Sequence, residues 1–343
     1  MAVAIEKLNR LGLTRDDYKG AHTTLCAGCG HNSITNHLVK ALYDSAVEPH
    51  LLAKMSGIGC SSKAAAYLVE RSHGFNGAHG RMPSLATGAK LANRDLVVLG
   101  ISGDGDTASI GLGQFCHMIR RNLDMTYIVE NNGVYGLTKG QFSATADLGS
   151  RPKKGPANRY EQIDISALAI ELGASFVARS FSGDGKQLVP LIQAALAHRG
   201  TGVLDVISPC VTFNDHEGST KSYAYVKDHD APVNTPDYIE PQGEITVDYE
   251  PGTAQDVELH DGSHIVLRKI GSDHDARDRM AAMRLLFEAR QSGEIPTGLL
   301  YVNPDTDDLC TREGLPSRPL AQLTLEELRP THEQWDALMA GLA

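Results

Sequence analysis

Short apolar runs alternate with segments of helical spacing through the first 210 residues. Buried helices are indicated at 32–44, 108–121, 166–172 and 187–198. Apolar strands are indicated at 95–101, 125–129, 175–180 and 202–207. Strands that are apolar throughout are typical of parallel sheets, because helices cover both faces. The pattern therefore predicts an α/β fold with a doubly wound, mostly parallel sheet.

The pattern of hydrophobic and polar positions changes after Pro209. Residues 244–250 and 256–260 alternate like strands, and turn signals follow them at 251–252 and 261–262. Beyond these, the pattern predicts a helix at 275–290, a short strand at 298–302 and a closing helix at 331–342. We therefore expect an α/β domain over 1–210 and a smaller C-terminal α+β extension over 211–343.

Charge and hydropathy narrow the classes of partner. The 343 residues include 32 Lys and Arg against 42 Asp and Glu, a net charge of -10. An acidic balance argues against nucleic acid or an anionic membrane as the partner. No apolar run is long enough to span a bilayer, and residues 1–20 lack an apolar signal core. We expect a cytoplasmic protein.

A candidate phosphate and metal site follows the strand at 95–101. Gly103-Asp104-Gly105-Asp106 ends this strand and opens a helix, whose N–H groups suit a phosphate. The aspartates would repel a bare phosphate, so a divalent cation between the two is expected. One helix and one strand later, Glu130-Asn131-Asn132-Gly133-Val134 reaches the same sheet edge. Carboxylate, amide and carbonyl oxygens suit Mg²⁺.

A second copy of GDG shows that this string alone is weak evidence for a phosphate site. Gly183-Asp184-Gly185 also joins a strand to a helix, but no Asn-Asn follows it, so we interpret it as a plain turn. The first string, followed by Asn131-Asn132, resembles the thiamine-diphosphate motif of thiamine-dependent enzymes. This resemblance assigns the metal to Asp104, Asn132 and the backbone carbonyl of Val134.

Six cysteines in a cytoplasmic chain are better interpreted as ligands or buried small side chains than as disulfides. Cys116 lies inside a predicted helix and is expected to be a buried hydrophobe, and Cys310 lies in the polar tail without a ligand neighbour. The remaining four lie in loops or at strand ends: Cys26, Cys29, Cys60 and Cys210. Four thiolates suit either a zinc ion or a [4Fe–4S] cluster, and the residues alone leave that choice open.

Several ordered strings settle the choice by resemblance. CAGCGH, SGIGCSSK, HGR, GDGD and NNGVYGLTKGQ occur in this order. Over residues 20–300 they resemble the β subunits of 2-oxoacid:ferredoxin oxidoreductases. The resemblance implies one [4Fe–4S] cluster on Cys26, Cys29, Cys60 and Cys210, beside thiamine diphosphate and Mg²⁺. Two departures touch no ligand: Leu25 replaces a common Trp, and the tail beyond 303 is longer than in the shortest relatives.

The same resemblance implies a set of site residues. Those expected to line or bind the cofactor are Ile58, Gly59, Cys60, Ser61, His79, Gly103, Asp104, Gly105, Asp106, Asn132, Val134, Gly136 and Leu137. The expected catalytic residues are Lys63, Leu137 and Lys139, where either ammonium would pair with a second substrate carboxylate. The strings around these lysines look most like 2-oxoglutarate enzymes. Surface lysines are nevertheless usually just solvated.

The family also implies partners. In it, a companion α subunit supplies the glutamate that activates thiamine, and no Glu here has a recognisable context for that role. We therefore expect an α₂β₂ enzyme that converts a 2-oxoacid and coenzyme A to acyl-CoA and passes electrons to ferredoxin, or runs in reverse. The alternatives are a pyruvate-type β subunit, a non-redox thiamine enzyme with a structural metal, and a regulatory protein that senses a thiamine ligand.

Overall fold

The computed structural model describes residues 7–150, 156–212, 243–260 and 262–342. Its α-helices are α1 (Gly30–Asp44), α2 (Met82–Ala92), α3 (Leu112–Arg120), α4 (Ile165–Leu172), α5 (Gly185–Ala197), α6 (Arg279–Ser292), α7 (Leu309–Arg312) and α8 (His332–Ala340). Its strands are β1 (Leu52–Ser56), β2 (His73–Asn76), β3 (Val97–Gly103), β4 (Met125–Asn131), β5 (Val134–Tyr135), β6 (Gln141–Phe142), β7 (Phe176–Phe181), β8 (Thr201–Ile207), β9 (Ala254–Glu258), β10 (His264–Lys269) and β11 (Glu294–Val302).

Nine of these strands form one sheet, in the order β2-β1-β3-β4-β8-β7-β11-β10-β9. The six strands from β2 to β7 are mutually parallel, so their carboxyl ends share one edge. β11 is antiparallel to β7 and β9 is antiparallel to β10. The predicted α/β fold with a mostly parallel, doubly wound sheet is confirmed.

Alternate side chains of the parallel strands enter two separate cores. Val98, Tyr127 and Val203 face α2, α3, α4 and α6, whereas their neighbours Leu99 and Ile128 face α1 and α5. Helices thus bury both faces of the sheet, which explains why these strands are apolar at nearly every position. Covering both faces leaves the strand ends as the place where polar groups gather.

Most predicted elements in the first 210 residues are confirmed with small shifts at their ends. The helix predicted at 108–121 is different: a π-helical turn (Gly105–Ile110) is followed by α3. At this break the backbone of Gly80 packs closely on Gly111, since a Cβ on Gly80 would lie 2.6 Å from Gly111 N. The predicted helix at 275–290 begins later, where Asp278 accepts N-cap hydrogen bonds from Met280 N and Ala281 N.

The prediction of a strand at 244–250 is wrong, since the structure has no strand there. Val247 N donates to Gly183 O at 3.2 Å, and Val247 packs in a third core with Phe181 and Leu267. The alternation of hydrophobic and polar residues at 244–250 therefore reflects packing of this segment on the turn after β7. The turn at 251–252 is confirmed, with Gly252 N donating to Lys269 O at 2.9 Å. The turn at 261–262 lies partly outside the described residues.

The C-terminal part joins the same sheet. β11 pairs with β7 and carries β10 and β9 beyond it. The division into domains at residue 210 is not tested by this pairing and stays a prediction. No helix among the described residues is long and apolar enough to cross a membrane.

Candidate cofactor and metal site

An open cavity lies at the carboxyl edge of the sheet, beyond β1, β3 and β4. All thirteen residues expected to line or bind the cofactor contribute to its wall. They come from separate strings of the chain, which the parallel strands bring to one edge. His31, Glu130, Tyr135 and Thr138 also line it, although the sequence did not single them out.

The predicted metal ligands are adjacent in the structure. Asp104 is 1% exposed, and its Oδ1 accepts a hydrogen bond from Asn132 N at 3.2 Å. Its Oδ2 accepts hydrogen bonds from Ser143 Oγ and from Thr145 Oγ1, the latter at 2.6 Å. Val134 N donates to Asn132 Oδ1 at 3.1 Å. These contacts hold the carboxylate, the amide and the Val134 backbone together.

This arrangement fits thiamine diphosphate with Mg²⁺. The donor set consists of oxygens, as hard divalent cations prefer. Two glycines let the loops approach closely: a Cβ on Gly57 would lie 1.8 Å from Asp106 Oδ2, and one on Gly105 would lie 2.6 Å from the Tyr135 ring. Asp104, Asn132 and the Val134 carbonyl would hold the metal, and the backbone around Gly105 would face the diphosphate.

Of the four candidate cysteines, Cys60 lines this cavity. Burial raises the pKa of the Cys29 thiol well above its usual value, and the Cys210 and Cys26 thiols raise it further. Burial also raises the pKa of Cys60, whereas Lys63 lowers it and Cys26 raises it. Cys29 is therefore within electrostatic reach of Cys26 and Cys210, and Cys60 is within reach of Cys26.

Two chain segments far apart in sequence meet at these thiols. Gly30 N donates to Pro209 O at 3.4 Å, which brings the start of α1 to the loop of Cys210. A Cβ on Gly30 would lie 2.6 Å from Ser208 Oγ, so the approach requires glycine. Within the described ranges, no three His, Cys, Asp or Glu side chains are close enough to hold a single metal ion.

The donor set of four cysteines fits a metal cluster. Burial favours the neutral thiols, and a bound metal centre would reverse this by binding them as thiolates. Cys26, Cys29, Cys60 and Cys210 would hold such a centre, and Cys60 also lines the cofactor cavity. The cysteine set and the cofactor pocket thus share one loop.

A buried histidine and glutamate lie between the two sites. His31 Nδ1 lies 2.6 Å from Ser208 Oγ and 3.4 Å from Glu130 Oε2, and its Nε2 lies 3.4 Å from Asn132 Nδ2. Burial lowers the pKa of His31 to about 4 and raises that of Glu130 well above its usual range. Both shifts favour a neutral pair. Sequence reasoning missed it because Glu130 is one polar residue in a buried strand.

The remaining candidates lie outside the cavity wall. Lys63 Nζ donates to Thr24 Oγ1 at 3.4 Å on the exposed surface, and Lys139 is exposed with a positive φ of 78°. Their substrate role stays a prediction. Cys116 is half-buried in α3 rather than buried, because it lies at the edge of the helix face, and Cys310 is buried against Lys90 O.

The chain is similar in sequence to known proteins. Residues 57–206 match the family model of the C-terminal TPP-binding domain of thiamine pyrophosphate enzymes. A 2-oxoacid:ferredoxin oxidoreductase β subunit from Sulfolobus is 44% identical over 191 residues, 55% of this chain and 63% of that protein. The 2-oxoglutarate synthase subunit KorB of Methanocaldococcus jannaschii is 38% identical over 189 residues, 55% of this chain and 69% of that protein.

A solved structure agrees over the full length. The 2-oxoglutarate:ferredoxin oxidoreductase of Magnetococcus marinus, with 2-oxoglutarate, coenzyme A and succinyl-CoA bound, has a TM-score of 0.69 and 29% identity, and the match covers 100% of both chains.

Fold and site together define a domain of the thiamine-pyrophosphate-binding type. Within this class, the chain belongs to the β subunits of 2-oxoacid:ferredoxin oxidoreductases. The sequence match spans less than two-thirds of the length of the first Sulfolobus and Aeropyrum relatives.

Proposed function

We propose that this chain is the β subunit of a 2-oxoglutarate:ferredoxin oxidoreductase. The proposed reaction converts 2-oxoglutarate, coenzyme A and two oxidised ferredoxins to succinyl-CoA, CO₂, a proton and two reduced ferredoxins, or runs in reverse. Thiamine diphosphate supplies the chemistry that breaks the carboxyl bond, and an iron–sulfur cluster supplies single-electron transfer. We expect it to act in the cytoplasm, where thiols stay reduced.

One observation carries the proposal. The oxygen site of Asp104 and Asn132 opens into the same cavity as Cys60, whose thiol interacts with Cys26. A group that loses electrons in the cavity would therefore lie beside a group that can accept them. A non-redox thiamine enzyme has no need of this proximity.

Two relatives favour 2-oxoglutarate as the substrate. The Methanocaldococcus relative is a 2-oxoglutarate synthase subunit, and the Magnetococcus structure holds 2-oxoglutarate and succinyl-CoA. Lys63 follows the cavity residue Cys60 by three positions and Lys139 follows Leu137 by two, and their ammonium groups would pair with the second carboxylate of this substrate.

An activity measurement tests the proposal. The chain is produced anaerobically with its co-encoded α subunit, and ferredoxin reduction is followed with coenzyme A and either 2-oxoglutarate or pyruvate. We expect reduction with 2-oxoglutarate, accumulation of succinyl-CoA and no activity from the isolated β chain. A preference for pyruvate would contradict the substrate assignment. Decarboxylation without carrier reduction would support the non-redox thiamine enzyme.

Binding without turnover, with the α subunit present, would support the regulatory alternative. The α₂β₂ stoichiometry is checked on the same preparation by its mass in solution. A matched variant, Lys63→Met, tests specificity. Loss of the ammonium should raise KM for 2-oxoglutarate more than for pyruvate, whereas equal effects would sink the assignment of Lys63.

A further inference from the structure

The second aspartate of the GDGD string uses its carboxylate within the protein. Asp106 is 3% exposed, and its Oδ1 accepts hydrogen bonds from His79 Nδ1 and from Gly80 N at 2.7 Å. Its Oδ2 accepts one from Ser102 Oγ at 2.6 Å. Both carboxylate oxygens are thus engaged by donors of this chain, on β3 and in the HGR loop.

We propose that Asp106 is a positioning residue that fixes the His79 ring, with Nδ1 protonated toward the carboxylate and Nε2 directed into the cofactor cavity. The part that concerns the diphosphate rests on the proposed function. In this account Asp106 does not contact the cofactor itself. It acts through His79, whose Nε2 would also carry a proton and donate to the bound diphosphate, so that the ring is a cation between two anions.

The ring of His79 is fixed from two sides. Its Nδ1 is bound to Asp106, so Nε2 on the opposite side of the ring points away from the carboxylate. Its face meets the Tyr135 ring edge-on, with centroids 5.9 Å apart. Tyr135 is itself held, because its hydroxyl donates to Gly105 O at 2.9 Å. The side chain of His79 remains 31% exposed, on the cavity wall.

The negative charge of Asp106 also holds a second loop. Ile58 N points at Oδ1 from 3.5 Å, and Gly57 packs so tightly on Oδ2 that a Cβ would lie 1.8 Å away. This is the loop that carries Cys60. One carboxylate therefore joins the HGR loop, the GDGD turn and the Cys60 loop.

Only an acceptor can specify this arrangement. A carboxylate accepts hydrogen bonds and cannot donate, so the proton of the pair must sit on His79 Nδ1. An asparagine of the same shape would keep its oxygen toward Gly80 N and His79 Nδ1 and turn its amide group to Ser102 Oγ. It therefore removes the charge and keeps the acceptor, whereas an alanine removes both.

The first test reads the proton directly. The full chain is labelled with ¹⁵N-histidine, and the His79 resonance is assigned by its loss in His79→Gln. We expect a protonated Nδ1 in the wild type and in Asp106→Asn, and a shift of the proton to Nε2 in Asp106→Ala, which offers no acceptor. The control is Asp256→Asn, because Asp256 Oδ1 faces His264 Nδ1 at 2.7 Å in an exposed pair. It should leave the His79 signal unchanged.

An unprotonated His79 Nδ1 in the wild type would overturn the proposal, and this result needs no variant to fold. The second test titrates thiamine diphosphate with Mg²⁺ by calorimetry. Asp106→Asn and His79→Gln should each weaken binding roughly tenfold, as loss of a charge-assisted contact does. The double variant should lose no more than either single variant if Asp106 acts through His79.

Additive losses would overturn that coupling. If the wild type binds no thiamine diphosphate, the proposed function fails, and the histidine spectrum still decides the role of Asp106.

Discussion

At the scale of single residues, two aspartates in identical GDG strings have different surroundings. Asp104 Oδ1 accepts from the backbone of Asn132 at the cavity, whereas Asp184 caps α5 by accepting from Gln187 N at 3.1 Å. Asp184 also pairs with Lys269 at 2.9 Å. The prediction of a plain turn at 183–185 is confirmed, because the chain turns there from β7 into α5 with Asp184 as the N-cap.

This contrast supplies a matched pair of variants. Asp104→Asn should weaken Mg²⁺-dependent thiamine diphosphate binding by more than about a hundredfold, because losing even an outer-shell partner costs up to that much. Asp184→Asn should keep full affinity and lower the free energy of unfolding by roughly 1–3 kcal/mol, since it retains the cap and breaks a buried ion pair. Calorimetry and urea unfolding measure both. Equal affinities in the two variants would show that Asp104 is not a ligand.

The sequence predicted site residues that lie at the ends of neighbouring predicted strands. It missed site residues that no such spacing relates. Asp104 and Asn132 were found because oxygen donors at two neighbouring strand ends have a chemical reason to meet. His31 and Glu130 are as deeply buried beside the same cavity. Their proximity depends on how α1 packs against β4, which no local spacing records.

At the scale of elements, strands with continuous apolar runs were predicted, whereas β1, β2 and β10 of the main sheet were not. β1 was missed because Lys54 interrupts it, and β2 because all four of its residues are exposed. The structure accounts for Lys54, whose ammonium donates to Leu68 O at 2.5 Å and Val69 O at 2.9 Å. A buried cation thus ties β1 to the turn that precedes β2.

This lysine makes stability depend on pH. Burial lowers the pKa of Lys54 to about 8, against a slight rise due to Glu70. Its folded pKa lies below its unfolded value, so the folded state binds fewer protons between pH 8 and 10.5. The free energy of unfolding should therefore rise through this window by about 2 kcal/mol relative to Lys54→Met.

Urea unfolding of both proteins at several pH values measures this difference. The variant is the control for thiols and tyrosines that titrate in the same range. A constant difference between pH 8 and 10 would show that Lys54 stays charged in the folded protein.

At the scale of the whole molecule, the fold brings cysteines from three separate segments within electrostatic reach of one another. Cys26 and Cys29 lie before α1, Cys60 lies after β1, and Cys210 follows β8. The sequence identified this set only through its resemblance to a family, because zinc and iron–sulfur sites share thiolate ligands. The structure adds the reason for their proximity, the contact between Gly30 and Pro209.

The cysteine set can be tested by replacement. Changing any of Cys26, Cys29, Cys60 or Cys210 to Ser should remove most of the bound iron, because a [4Fe–4S] cluster needs all four thiolates. Cys116→Ser should keep it, since Cys116 lies on α3 away from the cavity wall. Iron and sulfide analysis after anaerobic purification provides the measurement. Full iron retention in the Cys60 or Cys210 variant would contradict the ligand set.

We infer that one chain couples a thiamine site to an electron-accepting cluster. The most direct test is the anaerobic visible and EPR spectrum of the chain with its α subunit, recorded before and after addition of 2-oxoglutarate and coenzyme A. We predict a brown protein whose visible absorption bleaches on addition, with a reduced [4Fe–4S] signal in EPR. A colourless protein that contains zinc, or a cluster that substrate leaves unchanged, would contradict the account.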